Sequence, residues 1–231
     1  MKNISNNINF IKNTLKSLSG DTDKVKLIAV TKTFPCQDIF AAIKAGITDI
    51  GESKIQEALP KFEQLGTGLD GIVKHFIGHL QSNKAKKAVQ NFDLIHSLDS
   101  LKLAKDINRH SQSLNKIQNC LIEVKVSREN TKTGIDFNAV CDFYKQCLEL
   151  PNIFIKGLMV ITPLSDNPED SRLYFKKVFE LFEKIRDEHN KEGFDILSMG
   201  MSDDYKIAVE EGSNMVRVGS AIFGERDYGN Q

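Results

Sequence analysis

The chain has 231 residues, of which 40% are hydrophobic and 27% are charged, a balance that excludes a wholly disordered or fibrous protein. Lys plus Arg and Asp plus Glu both total 31, so no net field draws the whole molecule to nucleic acid or to an anionic membrane. A chain of this length can bury a substantial core, and we expect one domain over residues 1–231.

The cysteines and the apolar runs give two further expectations. The four cysteines show no CxxC spacing, and the N-terminal segment has no continuous apolar stretch of the signal-peptide kind, so we expect reduced thiols and a cytoplasmic location. No run approaches the roughly 20 apolar residues that a membrane-spanning helix needs. The sequence therefore predicts neither a membrane segment nor a nucleic-acid partner.

Short apolar runs rich in β-branched residues alternate with longer amphipathic segments, a pattern typical of parallel strands joined by helices. The predicted strands number eight, at 26–31, 47–51, 75–78, 94–98, 120–126, 155–161, 196–201 and 215–219. Helices are predicted between them, at 36–45, 54–64, 83–91, 100–110, 138–149, 169–190 and 203–211, with one more before the first strand. We expect an α/β fold, a single (β/α)8 TIM barrel with an extra N-terminal helix, in preference to an open doubly wound sheet.

Glycine and proline mark the ends of several predicted helices. Gly46 and Gly212 follow helical runs and are expected as C-terminal caps. The residues Asp166, Asn167 and Pro168 offer a start before the longest helix. These marks support the division into elements.

Lys32 is the first candidate functional residue, because functional side chains of a TIM barrel gather after the carboxyl ends of the strands. It follows the apolar run LIAV, so its amine would project into a partly desolvated mouth. Burial favours the neutral, nucleophilic form of a lysine, which can form a Schiff base. The alternative is a lysine that caps the barrel rim in solvent, and position alone leaves both open.

Small residues end the last two predicted strands, in the segments SMGMSDD and RVGSAIFG. Gly219 and Ser220 would let backbone amides approach an anion, and Ser202 would add a hydroxyl at a helix N-terminus. Barrels often bind phosphate with the loops after strands seven and eight, so this location predicts a phosphate cradle. Ser202 can also be an ordinary N-cap, and the two roles are compatible.

Six sequence blocks occur in one order over nearly the whole chain: AVTKTFP, DIGESKIQEA, HFIGHLQSNK, GLMVI, SMGMSDDY and MVRVGSAIFGERDY. They resemble the pyridoxal phosphate homeostasis protein family, which is similar to the N-terminal barrel domain of alanine racemase. The resemblance implies pyridoxal 5′-phosphate as cofactor, a Schiff base on Lys32, and phosphate held near Ser202, Gly219 and Ser220. It also implies that Arg217 faces the pyridine nitrogen, although a salt bridge would equally satisfy an inward arginine at the barrel mouth.

The function implied by the resemblance is that of a cytosolic carrier or buffer of the cofactor in vitamin B6 homeostasis, with enzymes that use the cofactor as candidate recipients. Ser53 stands where the family block more often has Asn, and we keep it as a cofactor-binding candidate. The chain ends at Gln231, just past the predicted barrel, so we expect a monomer with no second base for racemisation. The alternative is a pyridoxal phosphate-dependent amino-acid racemase, for which His79 is the nearest proton-transfer candidate.

Three weaker signals in the sequence concern lysines, histidines and one cysteine. Lys84, Lys86 and Lys87 could form a docking site for nucleic acid or a protein partner, but a solvated helix face accounts for them equally well. The five histidines lack carboxylate or cysteine neighbours at ligand spacing, so we expect no metal. Cys36 lies close to Lys32 in sequence and is expected to be an inert, partly buried thiol.

Overall fold

A computed structural model describes residues 3–21, 24–127, 133–189 and 192–225 of the chain. Its strands are β1 (Lys26–Val30), β2 (Asp49–Glu52), β3 (Val73–Phe76), β4 (Leu94–Leu98), β5 (Gln118–Lys125), β6 (Ile135–Asp136), β7 (Ile153–Val160), β8 (Ile196–Ser198) and β9 (Met215–Val218). Its α-helices are α1 (Ile4–Ser19), α2 (Cys36–Lys44), α3 (Ile55–Leu65), α4 (Ala85–Asn91), α5 (Leu101–Ser113), α6 (Val140–Leu148), α7 (Arg172–His189), α8 (Tyr205–Glu210) and α9 (Ser220–Phe223).

Eight of these strands form a closed, all-parallel barrel in the order β1, β2, β3, β4, β5, β7, β8, β9. The barrel closes because β9 pairs with β1, so that Ile28 lies opposite Arg217. A helix connects each strand to the next around the barrel, and the (β/α)8 fold with an N-terminal helix is thereby confirmed. The strand β6 was not predicted, because its two residues, paired with the end of β5, are too few to produce a periodic pattern.

The inside of the barrel is apolar only in part. Ile28, Leu94, Leu121, Met159 and Met215 come from five different strands and contact one another as one cluster, which requires that they meet across the barrel. The other inward positions include buried polar side chains from several strands, a departure from the branched apolar residues that commonly fill such barrels. The end of the barrel where the strands finish is called the C-terminal mouth below, and the opposite end the N-terminal mouth.

The N-terminal helix α1 covers the outside of the barrel near the first and last elements. Its buried residues Ile4, Ile8, Ile11 and Leu15 recur at helical spacing and form one apolar face. This face packs against α2, α8 and α9. Among the described helices, none is both long and apolar enough to cross a membrane.

The predicted helix ends agree with the observed backbone. Gly46 and Gly212 have φ angles of +84° and +94°, the left-handed conformation that a glycine C-cap supplies. Asn167 accepts a hydrogen bond from the amide of Glu169 and starts a 3₁₀ turn at Pro168, which leads into α7. The glycine and proline signals therefore marked real boundaries.

Candidate functional site

The loops after β8 and β9 meet at one oxygen atom. The Oγ of Ser202 accepts hydrogen bonds from the amides of Gly219 and Ala221, each at 3.3 Å. Gly219 directly precedes the short helix α9, whose first residue is Ser220. Ser202, Gly219 and Ser220 are therefore brought together at the C-terminal mouth, with two backbone amides directed at a single acceptor.

Glycine has different roles on the two sides of this contact. A Cβ atom on Gly200 would lie 2.6 Å from the Cβ of Ala208 and 2.8 Å from the Cα of Tyr205, and its φ is +93°. A Cβ on Gly219 would lie 3.4 Å from the Cβ of Val30, an ordinary contact distance. The close approach therefore requires glycine at position 200, which the sequence analysis did not single out, and Gly219 lies against the end of β1.

Lys32 follows β1 after one fully buried residue, Thr31, and its side chain is partly exposed. The next residue, Thr33, has a φ of +68°, which is uncommon for a β-branched residue. The amide of Thr33 donates to a carboxylate oxygen of Glu57 in α3, so the side chain of a neighbouring helix holds this turn. Lys32 therefore lies in a tight turn whose next residue, Thr33, is held by Glu57.

A partly buried ion cluster lies beneath the Lys32 turn. The Nζ of Lys61 donates to the backbone oxygen of Thr31 at 2.9 Å and to the Oε1 atoms of Glu52 and Glu57 at 3.0 and 2.6 Å. Burial raises the pKa of Glu52, although Lys61 and the Thr31 hydroxyl partly oppose that change. Burial also acts to raise the pKa of Glu57, but hydrogen bonds from Lys61 and Thr33 outweigh it, so this pKa is lowered. One cation therefore holds two carboxylates and the end of β1.

Arg217 points into the barrel and is only 3% exposed. Its Nη1 donates to the backbone oxygen and the Oγ of Ser198, at 2.9 and 2.7 Å, and its Nη2 donates to the backbone oxygen of Val160 at 2.9 Å. Burial lowers the pKa of Arg217 to about 10, while Asp204 and Glu123 act to raise it. Within the described part of the chain it has no carboxylate within ion-pair distance, so the salt bridge kept open above is not what holds the side chain.

Glu123 on β5 occupies the opposite side of the C-terminal mouth. It is 7% exposed and lines a cavity of about 270 Å³. Its Oε1 accepts a hydrogen bond from the Oγ1 of Thr133 at 2.9 Å, whereas its Oε2 has no hydrogen-bond partner among the described residues. Because burial disfavours the carboxylate form, the pKa of Glu123 is raised. The mouth therefore contains a buried cation on one side and a buried acid on the other.

Ser53 lies on another part of the rim, after β2. It lines a cavity of about 200 Å³ together with His79 and Lys84. A Cβ on Gly78 would lie only 2.2 Å from the backbone oxygen of Ser53, so the chain after β3 passes directly over this residue. The Nδ1 of His79 lies 3.0 Å from a carboxylate oxygen of Asp99. The structure thus groups Ser53 with His79 and Lys84.

The remaining sequence candidates have plain structural settings. Lys86 and Lys87 are exposed on α4, as a solvated helix face requires. The thiol of Cys36 is free and lies 3.2 Å from the Oε1 of Gln64. In the described ranges, no group of three or more His, Cys, Asp or Glu side chains is arranged to hold a metal ion.

One group of polar residues inside the barrel was not predicted from the sequence: Asp49, His75, His96 and Ser198. All are at most 1% exposed, and they are hydrogen-bonded in series to Arg217. Each lies within a strand that was predicted correctly. The available signal was a polar residue in the interior of a strand buried on both faces, where an apolar residue is expected.

The chain is similar to known proteins over most of its length. Residues 1–227 match the family model described as the N-terminal domain of alanine racemase. A pyridoxal phosphate homeostasis protein of Aquifex aeolicus is 43% identical over 203 residues, which cover 88% of each chain. Structures of PipY from Synechococcus elongatus, without and with PLP bound, are 34% and 36% identical, with TM-scores of 0.87 and 0.83. They cover 96% and 93% of this chain, and 100% of each PipY chain is covered.

The barrel fold and the family match together define a barrel of the alanine racemase N-terminal class. Within that class, the chain belongs to the pyridoxal phosphate homeostasis protein family. The resemblance inferred from the six sequence blocks is therefore confirmed.

Proposed function

We propose that this protein binds pyridoxal 5′-phosphate at the C-terminal mouth and acts as an intracellular carrier or buffer of the cofactor. The observation that carries the proposal is the convergence of the Gly219 and Ala221 amides on the Oγ of Ser202, beside the end of β1. Amides that converge on one oxygen would donate in the same way to a phosphate oxygen that took the place of the Ser202 hydroxyl as their acceptor. The relative whose structure holds PLP supports the choice of ligand.

The residues at the mouth fit the chemical groups of this cofactor. The Ser202 hydroxyl and the amides of the Gly219–Ser220 segment would hold the phosphate, and Lys32 lies after the strand that Gly219 contacts. When bound, the cofactor supplies an aldehyde that a lysine amine captures as a Schiff base, and Lys32 is the lysine we assign to that role. Ser53 remains a candidate contact at the rim.

Arg217 is the residue that favours holding over turnover. A guanidinium directed at the pyridine nitrogen would keep that nitrogen unprotonated and weaken the ring as an electron sink. Its three hydrogen bonds to Ser198 and Val160 fix the side chain within the barrel. The names of the relatives, which describe homeostasis rather than a reaction, support the same role. Enzymes that require the cofactor are the recipients we propose.

One observation favours the alternative, an amino-acid racemase. The Nδ1 of His79 lies 3.0 Å from a carboxylate oxygen of Asp99 at the same mouth, and the imidazole is 51% exposed. An imidazole oriented by a carboxylate is a group that could take and return a substrate proton. Racemisation must therefore be measured alongside cofactor binding.

The test is the visible absorbance of the purified protein with added pyridoxal 5′-phosphate, recorded before and after borohydride reduction. Wild type and the control Lys54→Ala, which alters an exposed lysine at the neighbouring strand end, should show a Schiff-base band that borohydride converts into a permanent linkage. Lys32→Ala should show no such band. Mass spectrometry of the reduced samples should locate the linkage on Lys32.

Racemisation of alanine and of other amino acids is measured on the same samples. A band in wild type without racemisation supports a carrier. Steady racemisation that is lost in His79→Ala would establish the enzyme instead. Absence of a band in wild type, or an undiminished band in Lys32→Ala, would overturn the proposed site.

A further inference from the structure

Five buried side chains form a continuous hydrogen-bonded series through the barrel. The Oδ1 of Asp49 lies 2.9 Å from the Nε2 of His75, whose Nδ1 lies 3.0 Å from the Nε2 of His96. The Nδ1 of His96 lies 3.2 Å from the Oγ of Ser198, which accepts from Arg217. The members come from β2, β3, β4, β8 and β9, so the series crosses the interior from one wall to the other. We call it the barrel relay.

The chemistry of the two end members, a guanidinium that only donates and a carboxylate that only accepts, favours one direction for the hydrogen bonds of the relay. A guanidinium only donates, so the Ser198 oxygen accepts from Arg217, and its hydroxyl hydrogen is available for the Nδ1 of His96. A neutral His96 then has its proton on Nε2, and donates it to the Nδ1 of His75. The remaining proton of His75, on Nε2, is donated to Asp49. In this arrangement all the donors point from Arg217 toward Asp49.

The charge states of His96 and Asp49 agree with this direction. Burial places the pKa of His96 well below its ordinary value, and the charge of Arg217 acts in the same direction, so the ring is neutral. Burial acts to raise the pKa of Asp49, but hydrogen bonds from His75 and Thr48 outweigh it, so this pKa is lowered. An ionised Asp49 needs a donor, and an Nε2–H on His75 supplies it.

The two ends of the relay lie at opposite mouths of the barrel. Asp49 and His75 line a cavity of about 340 Å³ at the N-terminal mouth, and the Nζ of Lys26 lies 3.8 Å from Asp49. Arg217 contacts Ser198 and Val160, the last residues of β8 and β7, at the C-terminal mouth. A change of charge at one mouth therefore has a connected path of donors to the other.

We propose that Asp49, His75, His96 and Ser198 are positioning residues that fix the donor direction of Ser198 and the orientation of the Arg217 guanidinium at the C-terminal mouth. Burying four polar side chains costs free energy that branched apolar residues would not incur, and the relay satisfies them only as a complete series. Through Arg217 the relay also sets the affinity for the cofactor, and this part rests on the proposed function. Asp49 acts without touching the ligand.

The first test uses the protein without ligand. Nitrogen-15 NMR of the histidine rings should show a proton on Nε2 and none on Nδ1 in both His75 and His96. In Asp49→Asn the charge is lost with little change of shape, so the Nδ1–H form should gain population at both rings and the Arg217 guanidinium signals should shift. Asp93→Asn, which removes another carboxylate that lines the same cavity, should leave the rings and Arg217 unchanged.

The second test measures cofactor affinity and absorbance in a matched pair of serine variants. Ser198→Ala removes the hydroxyl between His96 and Arg217, and should weaken binding roughly three- to tenfold and shift the absorbance band. Ser97→Ala makes the same change at the buried serine that follows His96 on β4. The Oγ of Ser97 has no hydrogen-bond partner among the described residues. Ser97→Ala should bind like wild type.

Two results would overturn the relay: a proton on the Nδ1 of either ring in wild type, or Arg217 signals in Asp49→Asn that match those of wild type. Equal affinities of Ser198→Ala and Ser97→Ala would overturn its effect on the ligand. Failure of wild type to bind the cofactor would count against the proposed function alone, because the spectra of the unliganded protein decide the relay independently.

Discussion

Two neighbouring parts of the C-terminal mouth are built in different ways. The loops after β8 and β9 are joined by backbone amides that donate to Ser202, with Gly200 packed closely behind them. The Lys32 turn is held by charged side chains, in which Lys61 bridges Glu52 and Glu57. The stability of the β8 and β9 loops should therefore be sensitive to an added Cβ atom. The stability of the Lys32 turn should be sensitive to loss of charge and to pH.

The largest expected effect comes from adding one methyl group behind the β8 and β9 loops. Gly200→Ala should lower the free energy of unfolding by roughly 2–5 kcal/mol, because the new Cβ would overlap Ala208 and Tyr205 in a left-handed backbone. Gly219→Ala is the matched control and should cost less than about 1 kcal/mol, since its Cβ has room beside Val30. Urea denaturation measures both, and equal losses would contradict the contrast.

The second effect concerns charge at the Lys32 turn. Lys61→Met should lower the free energy of unfolding by about 3 kcal/mol near neutral pH, because Glu52 stays buried without its cation. The loss should shrink on acidification for two reasons. The raised pKa of Glu52 means that its burial is unfavourable only when it is ionised, so stability falls as pH rises through that pKa. The lowered pKa of Glu57 means that its interaction with Lys61 stabilises above its ordinary pKa and is lost as pH falls.

Denaturation curves of wild type and Lys61→Met over a pH series measure this difference. Lys87→Met removes an exposed lysine from α4 and should follow wild type at every pH. A Lys61→Met deficit that stays constant into the acid range would mean that packing of the lysine stem, and not its charge, supports the turn.

The smallest effect tests whether the Lys32 turn also stores backbone strain. Thr33→Gly should raise stability by about 0.5 kcal/mol, because relief of the left-handed conformation exceeds the added freedom of the unfolded chain. Thr33→Ala keeps the strain and should give no gain. Thermal unfolding of the two variants in parallel would separate them, and a loss in Thr33→Gly would assign the stability to the threonine side chain.

The sequence predicted the repeating architecture well and the interior of the barrel poorly. All eight barrel strands follow from apolar runs, because strands buried on both faces are apolar over most of their length. The loops with Ser202 and Gly219 could be predicted to lie at the same mouth, because each of them follows a predicted strand of the barrel. His96 and Ser198 lie on strands far apart in sequence, 102 residues from each other, and their contact is created only by closure of the barrel. Local patterns carry no information on such a pairing.

The contact that closes the barrel also determines when the site can form during synthesis. The strand β9 pairs with β1, and the side chain of Asn7 in α1 donates to the backbone oxygen of Ile222 in α9, 215 residues later. A ribosome synthesises α1 and β1 before β9, so β1 must wait for this neighbour until all the strands between them have emerged. The two amides directed at Ser202 belong to the segment that directly follows β9. A nascent chain therefore gains its barrel seam and the contact between the Ser202 and Gly219 loops in one step, after the other barrel strands.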